Sequence, residues 1–425
     1  MSILIFTPTL SNRLQYAASV LLGEVEITNN REQFDAFAGV KVCYATVRAA
    51  EPSILCSGWI KDGERSAVYP AGIERIEHCA IAKQDAHIPF DVFAYSFFLL
   101  SRYEEYQDFQ ADYVGRFDVS NSVAAPLTPV VDRWRVELMT WLKHHFPAFH
   151  FSLPSYSASL TIDVDSAFAF RHKGVKRTLG GEAKDLVRGD LKNFFARNKT
   201  LLFGKKDPFD TYDTIEQLAL EHQLPLTFFF LLGDFNAYDI NLPHTSEGLR
   251  RLIRKSASKA TVGIHPGVGS HTSTEQLSTE IDRLKSITGD RVIHSRQHYL
   301  KLHFPTTYSR LIACGIQHDY SMGYSGDTRF RAGTSRPFLW YDLEKDQVSQ
   351  LTVHPFAAMD ATLKNYLRFN KHESIERIAQ LKKTIVDHHG HFCLLWHNES
   401  VADFGQWKNW SSIFPEVLKL ISTAD

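Results

Sequence analysis

The chain has 425 residues, 44% hydrophobic and 22% charged, with 47 Lys and Arg against 48 Asp and Glu and a net charge of −1. A chain of this length is expected to form two or three domains, and its apolar content excludes a disordered one. With no basic surplus overall it lacks the charge to neutralise a phosphate backbone or to hold to an anionic membrane, so no nucleic-acid partner is expected.

Residues 3–6 and 26–28 read as short strands. The first lacks the basic flank and long apolar core of a signal peptide. The longest apolar runs, such as residues 228–232, fall far short of the ~18–20 residues needed to cross a bilayer. Cys43, Cys56, Cys79, Cys314 and Cys393 are scattered singly among mostly apolar neighbours, as buried thiols in a reducing compartment would be. A cytoplasmic protein is expected. A helix is predicted over 92–106, where Asp91 is placed to cap it and Phe93, Phe97 and Phe98 recur at helical spacing. A second is predicted over 130–146, with Trp134, Leu138, Trp141 and Leu142 on one face. Residues 147–154, with a proline at each end, are predicted to separate a smaller α/β amino-terminal domain, 1–150, from a second domain, 151–425.

From residue 155 onward, strand-like apolar runs alternate with helical patterns. The runs are 158–162, 226–232, 261–264, 291–294, 311–316, 338–341, 351–353 and 392–396. The helices fall at 213–222, 246–256, 274–287 and 375–387. This alternation predicts a parallel sheet covered by helices, open or closed into a barrel. Residues 171–207 interrupt it with a Lys/Arg/Gly-rich stretch, read as a solvated helical insertion or as a flap over a polyanionic or sugar substrate.

Polar residues fall where the apolar strands end. Asp163 and Asp165 follow residues 159–162, His265 follows 261–264, Arg296 and His298 follow 291–294, and His397 follows 394–396. In a parallel α/β fold the carboxyl ends of the strands meet on one face, so groups distant in sequence converge. Two carboxylates one residue apart repel unless a cation lies between them. Asp with His is also a donor set that suits zinc, with an open position left for a reactive water.

These residues carry a resemblance. Thr161-Ile162-Asp163-Val164-Asp165 resembles the first motif of the polysaccharide deacetylases of carbohydrate esterase family four, the NodB-homology domain. Gly263-Ile264-His265-Pro266, Arg296-Gln297-His298-Tyr299, Asp319-Tyr320-Ser321 and Leu394-Leu395-Trp396-His397 are similar to its second to fifth motifs, in the same order. Residues 97–106 and Gly115-Arg116-Phe117 are similar to a bacterial subgroup in which an uncharacterised amino-terminal domain precedes the deacetylase-like one. The resemblance implies a distorted (β/α) barrel that removes an N-acetyl group from an amino sugar with a water activated by a divalent metal, zinc or another transition metal. In that reading Asp163 is the general base, held ionised by Arg296. Asp165 and His265 bind the metal, and His397 is the general acid, its tautomer or pKa set by Asp319. A backbone N–H near Tyr299 would stabilise the oxyanion.

The pattern departs from the family at the second motif, where the residue four beyond His265 is Gly269 and the next histidine is His271. His298 is taken as the third ligand, with His271 as the alternative. His354, Tyr324 and Asp360 are expected at the pocket, the first two binding substrate. The substrate expected is an N-acetylated amino sugar or glycoconjugate precursor of surface-polysaccharide or envelope biosynthesis. Hydrolysis of a small amide or ureide on the same scaffold, and a non-catalytic carbohydrate-binding or assembly protein, are the competing readings.

Overall fold

The computed structural model describes residues 2–63 and 65–423. The amino-terminal strands form a five-stranded parallel sheet: β1 Ile3–Phe6, β2 Glu26–Thr28, β3 Val40–Ala45, β4 Ser53–Leu55 and β5 His87–Ile88, in the order β2-β1-β3-β4-β5. Helices α1 Asn12–Leu22 and α2 Arg31–Ala36 connect its first strands, and α3 Val92–Leu100 and α4 Val130–His145 follow it. All nine residues of α3 are buried, which accounts for a sequence apolar on every side. Asp91 caps it, accepting the Ala94 N–H at 2.9 Å. The helix predicted to reach residue 106 stops earlier. Arg102 takes the left-handed conformation (φ 54°), and a short 3-10 turn, Tyr103–Tyr106, follows.

The second sheet has nine strands: β6 Ser157–Val164, β7 Leu226–Leu231, β8 Thr261–His265, β9 His294–Ser295, β10 His318–Asp319, β11 Phe338–Asp342, β12 Gln347–Val353, β13 Ala358–Met359 and β14 His391–His397. Their order is β11-β12-β10-β9-β8-β7-β6-β14-β13, parallel throughout except for the β11/β12 hairpin. Between them lie α5 Gly174–Val187, α6 Leu191–Leu202, α7 Tyr212–Glu221, α8 Glu247–Ala257, α9 Thr274–Thr288, α10 Thr306–Ala313 and α11 Lys371–Asp387, with α12 Ile413–Ser422 at the end. The alternation of strand and helix is thus as predicted, but the barrel is not closed by strand pairing. Among the described residues no ladder joins β13 to β11. The parallel run ends in an antiparallel hairpin on one side, and on the other in a strand of two residues, too short to bridge back.

One predicted strand, 311–316, is instead the end of α10 and its turn. Thr307, Tyr308 and Leu311 are its buried side, a helical spacing that the short apolar run Leu311-Ile312-Ala313 masks. Two short strands, β10 and β13, escaped the pattern for the same reason of length.

Register explains the site. On β6, Leu160, Ile162 and Val164 join the main core, as do Phe228 and Phe230 on β7, Ile264 on β8, and Phe392, Leu394 and Trp396 on β14. The alternate residues face the other side of the sheet, since successive side chains on a strand point to opposite faces. Asp163 pairs in register with His397 on one side and Phe229 on the other, and Leu231 with His265. Gly263 belongs to this inner set. A Cβ there would lie 2.6 Å from the Phe229 ring, so the glycine admits the aromatic on which Arg296 rests. Among the described residues no helix is long and apolar enough to cross a membrane.

Candidate metal centre

Asp163 and His397 end adjacent strands, Asp165 follows β6, His265 ends β8, and Arg296 and His298 follow β9. All but Arg296, which lies buried behind Asp163, meet in one cleft of about 200 Å³, together with Tyr299, Glu399, Arg116, Tyr366 and Trp407. His265 Nε2 lies 3.2 Å from Asp165 Oδ1, and His298 Nε2 lies 3.7 Å from Asp165 Oδ2. Among the described residues, Asp165, His265 and His298 form a group whose ligand atoms all lie within 4.8 Å of one another.

Each imidazole is oriented from behind. His265 Nδ1 lies 2.6 Å from the Arg296 carbonyl, His298 Nδ1 2.8 Å from Asp239 Oδ1, and His397 Nδ1 2.7 Å from Asp360 Oδ1. With Nδ1 donating to these acceptors, all three rings turn Nε2 toward Asp165, the arrangement usual for metal-binding imidazoles. His397 Nε2 is 3.9 Å from Asp165 Oδ2.

The donor set fits a divalent transition metal. Asp165 Oδ1 is buried without a hydrogen-bond partner among the described residues, a costly state for a carboxylate oxygen. Zinc ligands at ~2.0–2.1 Å in a tetrahedron stand about 3.3 Å apart, and the three ligand atoms here, all within 4.8 Å of one another, need draw in only a little to reach that spacing. The carboxylates favour positive charge here, whether protons on the histidines or a metal ion that displaces them. Burial opposes ionisation of Asp165, but His298 and His265 beside it hold its carboxyl well below the usual range. Burial likewise works against charge on His298, yet Asp165 and Asp239 push it up to about 9. His397 is raised well above its ordinary value, its burial outweighed by Asp360, Asp165 and Asp163.

Arg296 is fully buried. Its Nη1 donates to Asp163 Oδ1 at 3.0 Å and Thr161 Oγ1 at 2.7 Å, its Nε donates to the Tyr320 carbonyl, and the guanidinium lies 4.9 Å over the Phe229 ring. Asp163 thus has a fixed cationic partner.

Four expected residues stand elsewhere. Asp319 does not touch His397. It accepts Ser321 N–H and the Ser295 and Ser321 hydroxyls inside the sheet, and Asp360, after β13, takes the place expected for it. His354 stacks on Tyr320 with centroids 4.2 Å apart and lies 3.1 Å from His318. There burial pushes it down to about 3, and it does not line the cleft. Tyr324 is buried against Arg102 and Arg331. His271, the alternative ligand, stands apart with its carbonyl accepting from Arg310. Tyr299 does line the cleft, with a left-handed backbone (φ 59°) and its carbonyl accepting Arg116 Nη1 at 3.0 Å.

Sequence reading missed Asp239 and Glu399, and gave Arg116 no role beyond its place in Gly115-Arg116-Phe117. Burial and the Asp165 charge push the Glu399 carboxyl up to about 7. Arg116 comes from the amino-terminal region, anchored by Asp112 at 2.7 Å and donating to Tyr366 at 3.2 Å. The positional rule of polar residues at strand ends could have found Glu399, two residues past β14. No such signal marks the other two, which come from loops.

Residues 3–147 match the model of a family of unknown function, DUF7033. No curated protein is similar enough to the chain to count as a match. Among solved structures the chain is similar to a candidate polysaccharide deacetylase from Mycobacterium smegmatis, at 14% identity over 65% of this chain and 87% of that one, with a TM-score of 0.42. It is also similar to the allantoinase PuuE, at 12% identity over 74% of this chain and 91% of that one, TM-score 0.38. A third similarity is to a family 4 carbohydrate esterase from Streptomyces lividans solved with acetate, at 11% identity over 64% and 88%, TM-score 0.29.

Proposed function

We propose that the chain is a metal-dependent hydrolase that cleaves the N-acetyl amide of an amino sugar, releasing acetate and the free amine. The observation that supports it best is the convergence of three Nδ1-anchored imidazoles on Asp165, beside a carboxylate, Asp163, that is paired with a buried arginine. Asp165, His265 and His298 would hold the metal, which when bound lowers the pKa of water and polarises a carbonyl. Asp163, oriented by Arg296, accepts the proton of the attacking water. His397, kept protonated by Asp360, gives a proton to the departing amine nitrogen, without which an amine anion would have to leave. Tyr299, Tyr366 and Trp407 offer aromatic faces to a sugar ring.

The cleft is smaller than the ~300 Å³ lower end for drug-sized ligands, which favours a single sugar unit over a length of polymer. The same smallness supports the second reading, a small amide or ureide. The test has two stages. Elemental analysis of zinc-reconstituted protein is expected to find about one metal per chain, lost in Asp165→Ala and His265→Ala. Acetate release is then measured from nucleotide-linked and lipid-linked N-acetyl sugars, with allantoin hydrolysis run beside it. Metal bound but no acetate from any sugar would overturn the deacetylase reading, and allantoin turnover would establish its rival.

A further inference from the structure

The basic insertion is a hairpin of two helices, α5 and α6, and its burial pattern is inverted. The side chains it buries are polar: Asp185, Arg197 and Thr200. Arg197 Nη2 pairs with Asp185 Oδ2 at 2.9 Å, and Asn193 donates to Asp185 Oδ1 at 2.6 Å. The apolar side chains point to solvent. Val175, Leu179 and Leu186 on α5 are 74%, 59% and 53% exposed, and Leu191, Phe195 and Leu202 on α6 are 54%, 57% and 72% exposed. In both helices these residues fall at i, i+4 and i+11, within about 40° of one another around the axis at ~100° per residue. A surface helix of a globular protein turns such a stripe inward.

Charge lies beside the stripes. Residues 171–207 carry eleven Lys and Arg against four Asp and Glu. Lys176 on α5 and Lys192 and Lys199 on α6 are exposed, about 60–80° round from each apolar stripe on the same helical geometry. The hairpin is also held firmly. Asp207 accepts the N–H groups of Ala169, Phe170 and Arg171 at 2.7–2.9 Å, tying its two ends together. Arg177 donates to the Asn241 carbonyl at 2.8 Å and stacks 4.3 Å over Phe235, in a loop that adds exposed Phe235, Tyr238 and Ile240.

We propose that this hairpin docks the protein on an anionic lipid bilayer, the apolar stripes entering the headgroup–acyl boundary and the lysines pairing with lipid phosphates. Charge complementarity selects this occupant. A second copy would set one basic hairpin against another, whereas an anionic leaflet satisfies both the apolar and the basic residues. The hairpin leaves the sheet just past Asp165, on the edge that carries the cleft. That the cleft would then meet a sugar carried on a lipid rests on the proposed function; the docking does not.

The test is co-sedimentation of the full chain with phosphatidylcholine vesicles and with vesicles containing about one-third phosphatidylglycerol. Binding is expected to be at least roughly tenfold tighter to the anionic vesicles and to weaken as salt rises. Leu179→Asp/Phe195→Asp should lose binding at any salt, and Lys192→Glu/Lys199→Glu should lose the preference for anionic lipid. All four positions are solvent-exposed, so far-UV circular dichroism and metal content should match the wild type. Failure of the wild type to bind anionic vesicles overturns the proposal. So does equal binding by the Leu179→Asp/Phe195→Asp variant, or a dimer in solution that this variant dissolves.

Discussion

Asp239 and Asp360 do not line the cleft, yet each fixes the ring of a histidine whose Nε2 faces Asp165. Such outer carboxylates typically contribute 10–100-fold in metal affinity or activity. Asp239→Asn is therefore expected to weaken zinc binding by about that factor in competition with a chelator, with the fold unchanged. Asp360→Asn should act on His397. It removes the largest influence that raises the imidazole, so the folded pKa of His397 falls and the proton is lost at lower pH. A general acid must be protonated, so the alkaline limb of kcat/KM should move to lower pH. Asp319→Asn, by contrast, should cost stability and leave that limb in place. The Asp and His residues that gather in the cleft were legible in the sequence because each sits at a strand end, where parallel register brings distant residues together. Which carboxylate backs His397 was not legible, since Asp319 ends one two-residue strand, Asp360 follows another, and only the sheet order puts Asp360 beside β14.

At the scale of elements, the 3-10 turn after α3 shows where periodicity misleads. Residues 92–106 carry one continuous helical pattern, but Arg102 leaves the helix to enter a buried ionic cluster. Its Nε pairs with Glu105 Oε1 and its Nη2 with Glu104 Oε1, both at 2.7 Å, and Arg331 Nη2 meets Glu105 Oε2 at 2.5 Å. Burial alone would raise the Glu105 carboxyl, but Arg331 and Arg102 together lower it. Glu105→Ala would leave both guanidinium groups without this carboxylate, in an interior that solvates charge poorly. Losing one partner of such a pair costs about 3–5 kcal/mol. Denaturant unfolding of Glu105→Ala should show a loss of that order, and a loss below about 1 kcal/mol would mean that water reaches the cluster. Strands and helices of ordinary length were legible from their periods, whereas the ionic cluster at this break is completed by Arg331, 226 residues from Glu105, which no local pattern encodes.

Over the whole molecule, the nearly neutral total averages a strongly basic hairpin with an acidic remainder, and composition, which marked residues 171–207 as basic, hid that their apolar side chains face outward. The relation between the two sheets was equally hidden. One apolar core runs through both. Tyr16 of α1 donates to the Leu339 carbonyl at 2.6 Å and packs on Tyr341 at 5.1 Å, and Phe97 of α3 meets the same ring at 5.0 Å. Arg13 pairs with Asp346 at 2.7 Å, the Val131 N–H donates to the Gly333 carbonyl at 2.9 Å, and Arg116 reaches the wall of the cleft. Removing the first 154 residues would bare the apolar side of β11, leave Asp346 without Arg13 and open the cleft beside Tyr299. Residues 155–425 expressed alone should therefore be insoluble, or soluble with strong binding of a hydrophobic dye, a broad thermal transition and weakened zinc binding. Cooperative unfolding within a few degrees of the full chain would show that the second sheet is stable by itself. The amino-terminal region would then serve the cleft through Arg116 alone, and Arg116→Ala in the full chain should reproduce whatever loss of zinc binding or turnover the truncation causes.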